Sequence, residues 1–139
     1  MKKLLYASIS LVLAVGFCIR THAQVIVVAN PAVSAGSISK AELRDVFTGA
    51  STSVHGARVK PALLKEGPAH SEFLTNYVGR SPVTFIMSWR GLVLSGQATM
   101  PRTFDTEAAL VDYVSRTPGA IGYVSKSAPH DSVKVLTVN

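Results

Sequence analysis

The stretch "LLKEGPAHSEFLTN", residues 63–76, opens as the end of an apolar strand, breaks at Gly67 and restarts as a helix carrying Phe73 and Leu74 on one side. A glycine between strand and helix permits a tight turn and leaves the first helical N–H groups without partners, a geometry suited to an anion. The side chains around it decide whether one is held. Lys65, Gly67, His70 and Ser71 could together offer a cation, a close backbone approach, a protonated imidazole and a hydroxyl, whereas Pro68 deletes one donor. The competing reading is a plain solvent-facing loop.

Working outward, the same alternation of strand and helix repeats. "QVIVVAN", residues 24–30, is a β-branched run stopped by Asn30-Pro31, and Arg58 to Leu64 reads as a strand in which Pro61 favours a place near a sheet edge. Ser39 with Glu42 three residues on has the spacing of a capping box, Val46 and Phe47 give that helix an apolar side, and Gly49 stops it. His55-Gly56 marks a turn. A helix from His70 to Val78 ends at Gly79, and Ser81-Pro82 opens another. Asp105 is the expected cap of a helix reaching about Arg116, with Ala109, Leu110, Tyr113 and Val114 facing inward. "TPGAIGYVS" and the alternating Val133–Val138 run complete the strands, and helices interleaved with strands predict an α/β fold with helices packed on a mixed β-sheet.

The helix after Pro82, "VTFIMSWRGLVLSG", is apolar except along Thr84, Ser88, Gly91 and Ser95. Near-complete apolarity predicts a core helix whose small residues permit close packing. The alternative is a surface that receives another protein, with Phe85, Trp89 and Leu92 sharing one helical side as its anchor.

Residues 1–23 read as a targeting segment: Met1-Lys2-Lys3 is followed by an apolar run from Leu4 to Ile19, and Thr21-His22-Ala23 ends in a small residue. Cleavage after Ala23 would leave residues 24–139 as one exported, periplasmic domain with no stable membrane anchor. Bulky Phe17 before Cys18 argues against a lipoprotein route. Because Cys18 is the only cysteine, the remaining domain has no thiol for a disulfide, a metal or a covalent intermediate. The leader also carries Lys2, Lys3 and Arg20, so its removal takes 14 basic residues to 11 against 8 acidic ones. The rest are scattered singly, which gives no footprint for nucleic acid. His55, His70 and His130 lie apart and read as surface residues, no metal or cofactor site is spelled out, and Ser71 lacks the context of a nucleophile, so no enzyme is expected.

"NPAVSAGSISKAELRDVFTG", residues 30–49, and "FDTEAALVDYVSRTPGAIGYVS", residues 104–125, resemble segments of the phosphate ABC transporter substrate-binding proteins. The likeness spans nearly all of residues 24–139 and is closer to short members with a Trp, Gly and Pro passage, here Trp89, Gly96 and Pro101. It implies a single lobe of a type II periplasmic-binding-protein-like fold and a role in oxyanion transport. It also implies that residues 64–70 stand where phosphate binders carry Arg-x-x-Gly-Ser-Gly-Thr. Gly67 matches, but Leu64, Pro68, Ala69 and His70 replace the arginine, serine, glycine and threonine. The expectation is therefore an exported solute-binding-like domain with a degenerate phosphate motif, its partner a small oxyanion such as phosphate. The second reading is a cell-envelope or transporter-associated interaction module without a small-molecule site.

Overall fold

The computed structural model describes residues 24–139, and the expected leader lies outside them. Five-residue β1 (Val25–Ala29) is followed by β2 (Ser37–Ile38) and α1 (Lys40–Thr48), then by a small hairpin, β3 (Ser53–Val54) and β4 (Ala57–Arg58). Next come β5 (Lys60–Leu64) and α2 (Pro68–Phe73), which runs on into a wide π turn, Leu74–Val78. The chain closes with α3 (Pro82–Leu94), β6 (Arg102–Phe104), α4 (Glu107–Arg116), β7 (Ala120–Ser125) and β8 (Lys134–Val138). Six strands form one sheet in the order β2-β8-β1-β7-β5-β6. β1 is antiparallel to β7 and β8, while β5 runs parallel to β6 and β7. The expected mixed sheet with packed helices is thus present. Among the described residues no helix is long and apolar enough to cross a membrane.

Local chemistry sets most element ends. Both halves of the capping box form: Ser39 Oγ accepts from Glu42 N at 3.1 Å and Ser39 N donates to Glu42 Oε2 at 3.5 Å. Gly49 ends α1 with φ 81°, and a side chain there would meet Trp89 and Leu92. The cap of α4 is Thr106, whose Oγ1 accepts from Ala109 N at 3.1 Å, and not Asp105 one residue earlier. Either residue type can cap, and the backbone turns helical only after Thr106. Leu110, Val111 and Val114 are the buried face of this helix; Ala109 points outward and Tyr113 is half-buried. Pro61 does not mark an edge strand, since β5 lies between β7 and β6. The proline is tolerated because β6 pairs only from Ala62 onward.

The core centres on three aromatic rings. Phe73 stacks on Tyr123 at 3.9 Å, and Phe47 meets both edge-on at 4.9 and 5.7 Å. All three are fully buried, alongside Val28, Leu43, Leu110 and Ile121. Gly122 lets α4 press onto β7, because a Cβ there would lie 2.8 Å from Leu110.

α3 departs from the core-helix expectation. It buries only Phe85 and Trp89, with Leu92 half-buried, while Val83 and Leu94 are 72% and 88% exposed. Phe85 and Trp89 therefore belong to the chain's own core and are not an exposed anchor; the open apolar stripe is Val83, Met87 and Leu94 on the other side. The stripe of Thr84, Ser88, Gly91 and Ser95 separates two apolar sides, and residue type alone does not show which of the two faces in. The Trp89 indole donates to Phe47 O at 3.0 Å, occupying one of the carbonyls that the end of α1 leaves free.

Trp89→Ala should lose about 3–5 kcal/mol of unfolding free energy. Trp89→Phe, which keeps a ring and removes the N–H, should lose about 1 kcal/mol. Denaturant unfolding measures both, and a near-neutral alanine variant would contradict the burial. A second long-range cap gives a parallel expectation. Buried Asn30 donates to Val114 O at 2.9 Å and Ser115 O at 3.1 Å at the end of α4, and its Oδ1 accepts from Ala32 N. Asn30→Ala should cost about 1–3 kcal/mol, and Asn30→Asp, which turns a carboxylate toward those carbonyls, should cost more than alanine in the same measurement.

Candidate functional site

The C-terminal ends of β5 and β6 face α2 and the start of α3, and a cleft of about 620 Å³ lies between them. Its apolar wall comes from Leu63, Leu64, Pro82, Val83, Phe85 and Ile86, and its polar groups are Lys65, His70, Arg90, Thr103 and Asp105. Lys65 and Asp105 approach to 3.9 Å, but both are largely exposed, so the pair contributes little and leaves the lysine available.

His70 is 5% exposed, against the surface position expected for it. Placed in the first turns of α2, it points back toward β7, where its Nδ1 is hydrogen-bonded to Tyr123 Oη. The same oxygen accepts from Leu64 N at 3.1 Å. With that N–H donating inward, the tyrosine proton goes to His70 Nδ1, and the neutral imidazole carries its own proton on Nε2. Burial lowers the His70 pKa, and it raises the Tyr123 pKa, with the Leu64 N–H partly opposing that rise. Both shifts favour the neutral pair. The other two histidines among the described residues differ: His55 is exposed and lies 3.4 Å from Glu42, and His130 Nδ1 sits 2.7 Å from Ala128 O.

On the other side of Leu64 is a smaller hollow of about 250 Å³, lined in part by Glu66, Gly67, Pro68, Asp105, Glu107 and Ser125. It has three carboxylates and no cation. The Glu107 carboxylate accepts from both Ser125 N, at 2.8 Å, and Ser125 Oγ, at 2.9 Å, so those donors already serve an internal anion. Gly67 starts α2 at φ 108° with no side-chain cap, and Pro68 contributes no N–H.

The four residues singled out from the sequence are therefore divided. Lys65 and His70 share the cleft, Gly67 lines the acidic hollow, and Ser71 is exposed and lines neither. Sequence reasoning missed Arg90, Thr103 and Tyr123. Arg90 had a visible signal, as the single charge in the apolar α3, whereas Tyr123 lay inside an ordinary-looking strand 53 residues from its histidine.

No protein-family model matches the chain, and no curated protein matches it. Solved structures do. The chain aligns with a Clostridium perfringens protein, assigned to the phosphate ABC transporter substrate-binding proteins and solved with bound phosphate, at TM-score 0.61 and 18% identity over 82% of this chain and 44% of that one. PstS from Borrelia burgdorferi aligns at TM-score 0.58 and 15% identity over 83% and 47%, and a phosphate binding protein from Stenotrophomonas maltophilia at 0.55 and 21% over 84% and 39%. This chain spans less than half the length of each. The likeness is one of fold, and on it the chain has the architecture of a single lobe of the periplasmic-binding-protein-like α/β class.

Proposed function

We propose that this chain is an exported solute-binding-like domain, freed of residues 1–23, that takes a small anionic solute in the cleft beside Lys65, His70 and Arg90. The observation that carries the reading is the cleft itself. Its size suits a small molecule, and a neutral imidazole N–H, fixed by Tyr123, stands near two cations and an apolar wall. The shared fold supports a solute-binding relationship. In this reading the phosphate motif is degenerate and the Gly67 side repels anions, because Glu66, Asp105 and Glu107 line it without a compensating cation. No catalytic step is assigned. A second reading, an envelope interaction module, is favoured by the open Val83, Met87 and Leu94 stripe.

Thermal unfolding of residues 24–139 with phosphate, sulfate and small carboxylates tests the first reading. A solute present at a hundred times its Kd adds about 2.7 kcal/mol to stability and raises the midpoint accordingly. The effect should vanish in Lys65→Ala combined with Arg90→Ala and persist in Ser71→Ala. A panel with no shift, together with light scattering that rises with protein concentration, would replace this reading with the second.

The histidine gives a separate expectation. Its native pKa is lowered, so below about pH 6.5 the unfolded chain takes up a proton that the folded one resists, and stability falls as pH drops through that range. His70→Gln should flatten this slope. Sulfate affinity, resting on Lys65 and Arg90 and on an anion whose charge is fixed, should stay constant from about pH 6.5 to 8. Affinity that weakens across that interval would instead require a protonated imidazole in the site.

A further inference from the structure

A second cavity, of about 550 Å³, lies at the opposite ends of the same parallel strands. β5 begins at Lys60 and β6 at Arg102, and their side chains line it together with Arg58 from β4. All three are exposed, no acidic side chain lines the cavity, and among the described residues none of the three makes an ion pair. Three uncompensated cations converging on one hollow repel one another, and an anion relieves that repulsion.

The rest of the lining narrows the chemistry. The Arg102 guanidinium lies over the Tyr113 ring at 5.5 Å from its centre and over that of Phe104 at 5.9 Å, and among the described residues its N–H groups make no hydrogen bond, so they are free for bidentate contact. Half-buried Ala98 and Met100 add apolar surface, and Gln97 adds a side-chain amide with no internal hydrogen bond among the described residues. One monovalent ion would satisfy only part of this arrangement. We infer that this cavity binds a compact organic polyanion, with two or more carboxylate or phosphate groups on Arg58, Lys60 and Arg102 and its carbon skeleton against Ala98 and Met100. This site is separate from the cleft at the other strand ends, and the inference does not depend on what that cleft binds.

Isothermal titration of residues 24–139 with citrate at low ionic strength tests it. Citrate should bind with an affinity that falls steeply as salt is added, and Arg58→Gln and Arg102→Gln should each weaken it about tenfold, the loss of one charge-assisted contact. Acetate, with a single carboxylate, should bind far more weakly here. Arg58→Gln should leave the unfolding midpoint at the parent's value, since the side chain is exposed, and Arg102→Gln should lower it only slightly, by the loss of its contact with the Tyr113 and Phe104 rings. Lys126→Gln, elsewhere on the surface, sets the effect of net charge alone. Equal weakening by Lys126→Gln would reduce the effect to general attraction and overturn the site. So would loss of citrate binding on Arg90→Ala with none on Arg102→Gln, which would place citrate in the cleft. Absence of citrate binding at low salt would also overturn it.

Discussion

A tyrosine hydroxyl buried in the middle of the domain must find partners, and the way Tyr123 meets that demand fixes three elements at once. Its oxygen holds the backbone of β5 through Leu64 N and the side chain of α2 through His70, while its own strand, β7, runs through the sheet. The ring beneath stacks on Phe73 and meets Phe47, so the same residue that orders the polar contacts also organises the apolar centre. An unpaired buried hydroxyl is costly, which ties the position of α2 to the sheet with more precision than ring packing alone would give. The direction of one proton then determines whether the other imidazole nitrogen is a donor or an acceptor.

Two helices end on side chains supplied from far along the sequence. α1 turns off locally at Gly49 but its Phe47 carbonyl waits for the Trp89 indole, and the last carbonyls of α4 wait for the Asn30 amide, so each C-terminus is completed only when the tertiary structure forms. Their N-termini, by contrast, are closed locally by Ser39 and Thr106. Charge is also unevenly distributed. Along β5 and β6 the basic residues gather where the strands begin, and the carboxylates gather in the hollow where they end. Cationic side chains thus lie on the flank of the glycine turn and at the far ends of the same strands, and not in the hollow beside Gly67.

The division between what could and could not be read from the sequence follows the same line. Short-range rules worked: the capping box at Ser39, the left-handed stop at Gly49 and the alternation of strands with helices all depend on neighbours a few residues apart. The resemblance carried the architecture. Readings failed where the answer lay in a distant partner or a missing period. His70 looks like any turn histidine until Tyr123 is placed beside it. Asp105 and Thr106 are equivalent caps until the exit from β6 is known. In α3 apolar residues flank the small-residue stripe on both sides, so Phe85 and Trp89 could not be distinguished as core from Val83 and Leu94 as surface.

The narrow seat of α3 has a further consequence. α4 buries three side chains against the sheet, and α1 buries three beside the aromatic centre, whereas the longest helix in the described chain is seated by two. Detaching it would expose those two aromatic side chains and free the Phe47 carbonyl, while the sheet and its aromatic stack, which lie elsewhere, would stay in place. α3 therefore depends on Phe85 and Trp89 for its seat on the domain. Since Phe85 and Ile86 on that helix form one wall of the cleft, the cavity has a fixed floor and a separable side.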